Sequence, residues 1–213
     1  QCGLVGSEMC IRDRFNKEIK SIEDIKGLRM RTPGLGGDVI TRAGGIAVTI
    51  SGGELYTAMQ TGVIDALEWV GPYNDLAFGF HQIAKYYYYP GWSEPGPALE
   101  LLVNKDAFET LPEDLKAIVE TAARAVNQDV LDEYTARNNE ALVCLIEEHC
   151  VQLKKLPDDV DRELRRISEE IIEEIASDSE IARRIANSIQ SFQKQAAAYH
   201  AISEEAYYEA RRK

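Results

Sequence analysis

Short strand-like segments alternate with helical segments between residues 28 and 67, and this alternation limits the possible fold more than any other feature. Three segments alternate in polarity or are rich in β-branched apolar residues: 28–32, 46–50 and 63–67. Two helical segments, each followed by glycine, lie between them: 38–43 and 51–61. The order β-α-β-α-β predicts an α/β fold with a largely parallel sheet.

The rest of the chain predicts two more strands and a long helical region. The strands are expected at 86–89, where four tyrosines follow one another, and at 97–104. From Leu111 the pattern is almost entirely helical, with Pro157 as a break and a last helix over 179–212. One apolar stripe at helical spacing is predicted to face a core: Leu115, Ile118, Val119, Ala122 and Val126.

Composition excludes several classes of function. The 213 residues carry a formal net charge of −12, whereas nucleic acids and anionic membrane surfaces attract basic proteins. No apolar run approaches the roughly 20 residues of a membrane span, and no signal peptide is visible. The acidic residues lie mainly in the helical second half, where they favour solubility.

Residues 1–14 do not share the periodicity of the remaining chain. The run from Ser7 to Arg14 resembles a translated sequencing adaptor, so residues 1–14 are predicted to be a non-native leader outside the fold. A natural flexible terminus is the alternative. If the segment is foreign, the chain is a C-terminal fragment of a longer protein.

Two arginines alternate with apolar residues in the first predicted strand. Arg29 and Arg31 therefore share one face, where an arginine near a strand end can bind a carboxylate through paired hydrogen bonds. The loop 33–37 leads into a helix N-terminus, which also attracts anions. On the pattern alone, solvated surface arginines remain the favoured interpretation.

The glycine-rich segment 34–39 invites a nucleotide-binding interpretation. The dinucleotide fingerprint requires glycine at positions 34, 36 and 39, but position 39 is valine. No acidic residue ends a following strand about 20 residues later. A nucleotide-using α/β enzyme is therefore kept only as an alternative, and so is a helical interaction module.

Two acidic residues lie beside tryptophans in turn-like segments. Glu68 follows the strand predicted at 63–67, and Glu94 lies in the segment 91–96. Ligands of open α/β sheets bind outside the carboxyl ends of the strands, where a carboxylate repels an anion unless a cation lies between them. Oxygen ligands favour Na⁺ or Ca²⁺ over zinc. On spacing alone, however, a capping role for Glu68 and a solvated Glu94 are favoured.

Three segments resemble the substrate-binding proteins of TRAP (tripartite ATP-independent periplasmic) transporters. They are Ile25–Arg31 (IKGLRMR), Gly53–Ala66 (GELYTAMQTGVIDA) and Leu111–Leu115 (LPEDL). The segments Glu68–Tyr73 (EWVGPY) and Gly91–Gly96 (GWSEPG) are similar to the branch that binds 2-oxo acids, lactate and similar monocarboxylates with a metal cation. The resemblance extends from about residue 17 to the end.

The resemblance implies a periplasmic-binding-protein-like α/β fold of two domains, with long C-terminal helices. One domain is expected to be nearly complete and the other truncated. The expected boundaries are 1–14 for the leader, 15–94 with 135–213 for the second domain, and 95–134 for a segment that returns to the truncated first domain. A full member carries roughly another hundred residues before this point.

The resemblance also implies a role for each candidate site residue. Arg31 would pair with the substrate carboxylate. The bridging cation, Na⁺ or Ca²⁺, would be held by the Glu68 side chain, the Trp69 carbonyl and Glu94. Tyr73 and Trp92 would line the pocket.

The family implies a transport function without catalysis. Its members are periplasmic receptors that deliver a small carboxylate to TRAP membrane subunits, and some dimerise through the C-terminal helix, here 179–212. At least one metal ligand and half of the pocket wall are expected from outside this chain. The chain as given is therefore expected to bind its ligand poorly or not at all.

Overall fold

A mixed six-stranded sheet is the centre of the protein in the structure, a computed structural model that describes residues 3–4, 12–93 and 99–212. A two-stranded antiparallel pair lies apart from it, formed by β1 (Gly3–Leu4) and β7 (Leu99–Glu100). The six strands are β2 (Arg12–Phe15), β3 (Arg29–Arg31), β4 (Ile46–Val48), β5 (Ala66–Trp69), β6 (Tyr86–Tyr89) and β8 (Gln152–Lys155). Their order across the sheet is β4-β3-β5-β2-β6-β8.

Eight helices accompany the strands in the described part of the chain. They are α1 (Leu35–Arg42), α2 (Leu55–Gln60), α3 (Pro72–Phe78), α4 (Lys105–Glu109), α5 (Glu113–Glu147), α6 (Asp158–Ser177), α7 (Glu180–His200) and α8 (Glu204–Glu209). No described helix is both long enough and apolar enough to span a bilayer. The single helix predicted over 179–212 is observed as two helices, α7 and α8, which are separated at 201–203.

The direction of the strands agrees with the predicted parallel sheet except at β2. Strand β3 is parallel to β4 and β5, and β6 is parallel to β8, but β2 is antiparallel to both β5 and β6. A parallel neighbour requires a crossover connection, and β3, β4 and β5 are joined through α1 and α2 as the sequence predicted. The α/β class is confirmed, and the sheet is mixed.

Strand β2 corrects the prediction that all of residues 1–14 lie outside the fold. Arg12–Phe15 pairs along its length with β5 and along 13–15 with β6, and Asp13, Arg14 and Phe15 are buried. No sequence pattern predicted this strand, because two of its buried side chains are charged and charged residues are rarely buried. The origin of residues 1–11 stays a prediction.

Two other strands differ from expectation for local reasons. The strand predicted at 63–67 begins at Ala66, because the N–H groups of Val63 and Ile64 still donate to the carbonyl of Ala58 in α2. Strand β8, Gln152–Lys155, was not predicted, because it contains a single apolar residue between two helices. Of the described part of 97–104, only Leu99–Glu100 is a strand.

Two clusters of buried side chains pack helices against the sheet. One cluster joins α2 and β5 through Leu55, Met59, Ile64, Leu67 and Phe80, all buried. A second cluster joins β6 to the end of α5 and the approach to β8 through Tyr87, Leu145 and Val151. Burying each of these large side chains contributes roughly 1.5–3 kcal/mol, so the two clusters hold the helices to the sheet.

The chain divides into two compact units, residues 1–165 and residues 166–213. The first contains the sheet and α1 to α5. Within the second, Arg183 makes two hydrogen bonds of 2.7 and 2.8 Å to the Glu173 carboxylate, and Ser179 caps α7 by accepting from the Ala182 N–H. The domain boundaries expected from the resemblance stay a prediction.

Candidate functional site

The carboxyl ends of the parallel strands β3, β4 and β5 bring together the residues that carry the candidate site. Arg31 ends β3, Ile50 follows β4 by two residues, and Glu68 and Trp69 end β5. Because the three strands run in the same direction, these positions meet at one edge of the sheet. The edge is where an open α/β sheet binds its ligand.

The Arg31 guanidinium lies against backbone carbonyls of its two neighbouring strands. Its Nη1 donates to the Glu68 carbonyl at 3.2 Å, and its Nε donates to the Ile50 carbonyl at 3.4 Å. Nη1 also lies 3.6 Å from Glu68 Oε2, with 15% of the Arg31 side chain and 12% of the Glu68 side chain exposed. The Arg31 guanidinium is thus held in a mostly buried position at the end of the sheet.

Arg29 has a different hydrogen-bond partner from Arg31, although the two side chains share one face of β3. The predicted alternation is confirmed, because Met30 between them is buried. Arg29 makes two side-chain hydrogen bonds to Asp65, at 3.0 and 2.9 Å, and these bonds hold the pKa of the Asp65 carboxyl below its ordinary value. Arg29 is therefore held by paired hydrogen bonds to its carboxylate, whereas Arg31 has only the longer 3.6 Å contact with Glu68. Arg31 is thus the better candidate for binding a carboxylate from solution.

Asp13 faces Glu68 across the paired strands β2 and β5. The two residues are directly opposite in the register, so their side chains share one face of the sheet. Burial, and then the Glu68 charge, raise the pKa of Asp13 to about 7. Among the described residues, Asp13 Oδ1 has no hydrogen-bond partner. Two like charges in a buried position are costly unless a proton or a cation lies between them.

The indole of Trp69 is partly buried and packs against the core cluster at the end of β5. It packs on Gly52 and makes edge contacts with the rings of Phe78 and Phe80, at centroid distances of 5.2 and 6.1 Å. The Arg31 guanidinium lies 5.4 Å from the centre of the indole. The Trp69 carbonyl, expected to be a metal ligand, accepts a hydrogen bond of 2.8 Å from Arg14 Nη1.

Arg14 is the centre of a buried network that sequence reasoning missed. Besides the Trp69 carbonyl, it donates to Asp75 Oδ2 at 2.5 and 2.8 Å and to the Tyr87 hydroxyl at 2.9 Å. No sequence signal identified this network, because Arg14 falls in the segment excluded from the fold and its partners are about 60 residues away. The network fixes the end of β5 behind the candidate site.

The remaining predicted site residues lie in different places. Tyr73 is turned toward α5, where its hydroxyl donates to Glu133 and its ring contacts Tyr134. The Trp92 ring lies near Gly36 at the start of α1, since a methyl group added there would be 3.8 Å from Trp92 Cη2. Glu94 lies outside the described residues. The site roles of all three stay predictions.

The nucleotide alternative finds no support at the loop before α1. Val39 occupies the position where the fingerprint requires its third glycine, and its side chain is buried. The third glycine permits close packing of helix on strand, and here that place is filled by a side chain.

The donor chemistry at this edge fits a hard cation only in part. The carboxylates of Glu68 and Asp13 offer oxygen ligands, which Na⁺ and Ca²⁺ prefer. Within residues 12–93 and 99–212, however, no group of three or more histidine, cysteine, aspartate or glutamate side chains could hold a metal ion by itself. A cation here would need further oxygen ligands from a bound molecule or from residues outside that set.

Comparison with known proteins agrees with this chemistry. The model of bacterial extracellular solute-binding proteins of family 7 matches residues 9–179. A monocarboxylate 2-oxoacid-binding periplasmic protein of Nostoc sp. PCC 7120 is 42% identical over 193 residues, which cover 91% of this chain. The chain spans only 53% of the length of that relative.

Two solved structures are similar over almost the whole chain. A TRAP periplasmic solute-binding protein from Pseudoalteromonas atlantica, with bound sodium and pyruvate, has a TM-score of 0.90 and 38% identity. Its counterpart from Colwellia psychrerythraea, with bound calcium and pyruvate, has a TM-score of 0.91 and 38% identity. Each covers 96% of this chain, which spans 62% and 63% of the respective solved chains.

Proposed function

Because the chain belongs to family 7 of the bacterial extracellular solute-binding proteins, we propose that it is part of a receptor for a small monocarboxylate. The ligand class is a 2-oxo acid such as pyruvate, or lactate, bound with Na⁺ or Ca²⁺. The receptor works in the periplasm and delivers its ligand to the membrane subunits of a TRAP transporter. It binds and releases the ligand without chemical change, so it is not an enzyme.

The observation that carries this proposal is the position of Arg31 at the carboxyl ends of the parallel strands, with the Glu68 carboxylate 3.6 Å away. Arg31 pairs with the carboxylate of the ligand, because a guanidinium matches a carboxylate in charge and geometry. Glu68 holds the cation, which removes the repulsion between that glutamate and the anionic ligand. Trp69 through its carbonyl and Glu94 are further cation ligands, and Tyr73 and Trp92 line the pocket.

The 213-residue chain is expected to bind pyruvate weakly by itself. The chain spans about half of its curated relative, and two close carboxylates with one arginine form an incomplete set of ligands. Isothermal titration with pyruvate, in the presence of Ca²⁺ or Na⁺, should show no tight binding. A binding constant in the micromolar range would contradict this expectation. Circular dichroism of the same sample controls for folding.

Self-association through the C-terminal helix is the proposed quaternary arrangement. Helix α7 exposes apolar side chains at helical spacing: Ile181, Ile185, Ile189 and Phe192. A related TRAP solute-binding protein from Bordetella bronchiseptica is described as a dimer. It is 33% identical to this chain with a TM-score of 0.88, and the match covers 95% of this chain and 62% of that protein. An isologous contact between two copies of α7 would cover this stripe.

Truncation near Ser177 tests this arrangement. Light scattering is expected to give a dimer mass for the full chain and a monomer mass for the chain that ends there, since the exposed stripe is removed. The ellipticity that α1 to α6 contribute should be retained. An unchanged mass after truncation would exclude α7 from the interface.

A further inference from the structure

The polar contacts of Arg31 are too long to fix its guanidinium by themselves. Its hydrogen bonds to the carbonyls of Ile50 and Glu68 measure 3.4 and 3.2 Å, whereas the commonest length of such a bond is about 2.9–3.0 Å. Arg29 on the same strand is held to Asp65 at 3.0 and 2.9 Å. A group binds its ligand most tightly when its orientation is fixed before the ligand arrives, so a further contact is expected at Arg31.

The indole of Trp69 supplies this contact. Arg31 is opposite Leu67 in the parallel pair of β3 and β5, and Trp69 is two residues further along β5. The three side chains therefore share one face of the sheet. The Arg31 guanidinium lies over the indole, 5.4 Å from its centre, within the roughly 6 Å at which a cation is attracted to an aromatic face. Arginine packs on a ring without using its hydrogen-bond donors, which leaves them for a carboxylate.

Packing fixes the position of the indole. Trp69 Nε1 is buried and has no hydrogen-bond partner in the part of the chain that the structure describes. The rings of Phe78 and Phe80 contact the indole edge to face, and Phe80 is fully buried. The indole also lies against Gly52, which begins the helical turn Gly52–Glu54 after β4.

Gly52 is a position at which this arrangement leaves no room for a side chain. A Cβ atom added there would lie 2.8 Å from Trp69 Cη2 and 3.6 Å from Cζ2 and Cζ3. Carbon atoms that are not bonded rest about 3.5–4.0 Å apart, so the added atom would displace the ring. The φ of Gly52 lies outside the left-handed region, so close packing and not backbone conformation requires glycine here.

We infer that Gly52 and the Trp69 indole are positioning residues for Arg31. The indole lies behind the guanidinium, and the missing side chain at Gly52 allows the ring to lie there. This role is separate from the cation contact proposed for the Trp69 carbonyl. It rests on the proposed function only in taking a carboxylate as the ligand.

Nuclear magnetic resonance of the 213-residue chain tests this placement without any ligand. An aromatic ring shifts the signals of protons above its face, so the Arg31 Nε–H signal should differ from its value in the unfolded chain. Its absence in Arg31→Lys assigns the signal. Trp69→Leu and Gly52→Ala should each remove most of the shift, whereas Trp69→Phe should retain part of it because a ring remains.

The matched control is Gly53→Ala at the neighbouring glycine. A Cβ atom there meets no atom within 4 Å, and Gly53 also lies outside the left-handed region. Gly53→Ala should therefore leave the Arg31 signal unchanged. The inference is overturned if Trp69→Leu retains the shift, or if Gly52→Ala changes the signal no more than Gly53→Ala does.

Pyruvate affinity gives a second readout, in a chimera that joins this chain to the part of the Nostoc protein that it does not match. Trp69→Leu and Gly52→Ala should each lower the affinity about tenfold, because a contact between a mostly buried guanidinium and an aromatic face contributes this much. In an Arg31→Ala background neither should lower it further, since residues that act through one group are not additive.

Leu145→Ala is the control for a general loss of stability. It removes a buried side chain from the second core cluster, so it should destabilise the chain and leave pyruvate affinity unchanged. The inference is overturned if Trp69→Leu lowers the affinity as strongly without Arg31 as with it, or if Leu145→Ala lowers it equally. A chimera that binds no pyruvate contradicts the proposed function, and the Arg31 signal then decides the inference.

Discussion

Replacing Asp13 with asparagine is expected to stabilise the chain at pH 8 by up to about 4 kcal/mol. The folded state raises the pKa of this carboxyl from 3.8 to about 7. Each unit of that rise corresponds to about 1.4 kcal/mol by which folding opposes ionisation. Asparagine has nearly the same shape and does not ionise, so its folded state avoids burying a charge beside Glu68. Urea unfolding in sodium-free buffer with a chelator measures the difference.

The pH dependence gives this prediction its sign. Between pH 4 and 7 the folded state binds more protons at Asp13 than the unfolded state does, so its contribution to stability falls as pH rises. Asp13→Asn should remove that fall. Asp129→Asn, at an exposed position of α5, is the control and should change the unfolding free energy by less than about 0.5 kcal/mol. An equally small effect of Asp13→Asn would mean that residues 12–14 lie outside the sheet after all.

Replacing Arg31 with alanine is expected to abolish most carboxylate binding in a chimera that joins this chain to the unmatched part of the Nostoc protein. Removing one partner of an enclosed, hydrogen-bonded charge pair costs about 2–5 kcal/mol. The affinity for pyruvate should therefore fall about 30-fold or more, as measured by calorimetry. Arg31→Lys should recover part of it, because lysine keeps the charge without the planar pair of donors.

Arg29→Ala is the matched control for Arg31→Ala. Arg29 lies on the same strand and face, but its guanidinium is bound to Asp65 and its side chain is 42% exposed. An exposed ion pair contributes little to stability, so Arg29→Ala should lower the unfolding free energy slightly and leave pyruvate affinity within about threefold. Equal losses for both arginines would indicate a general electrostatic effect and contradict a specific role for Arg31.

The sequence was sufficient to predict strands and helix ends where the local residue pattern agrees with the packing of the folded chain. Alternation in 28–32 predicted a strand with Arg29 and Arg31 on one face, and the buried Met30 between them confirms it. Glycine marked the ends of α1 and α2 well, because Gly44 and Gly62 adopt the positive φ that other residues avoid. The α/β class followed from the alternation of strands and helices, and the family followed from the resemblance of the segments 25–31, 53–66 and 111–115 to its members.

The sequence was insufficient to predict strands and side-chain contacts that depend on residues far apart in the chain. Strand β2 is stabilised by two neighbours more than 50 residues away, so no local period announces it. The role of Arg14 depends on Asp75 and Tyr87, which only the sheet brings near. The contacts of the Trp69 indole with Phe78 and Phe80 also depend on the folded chain, and the site role of Trp69 stays a prediction.

Arg31 and a cation held by Glu68 are proposed to bind the ligand carboxylate together. A pyruvate titration of the same chimera with Ca²⁺, with Na⁺ and with neither tests this arrangement. We predict micromolar binding that requires one of the cations, and loss of the cation effect in Glu68→Gln. Binding of equal strength without either cation, or an unchanged cation effect in Glu68→Gln, would contradict the claim.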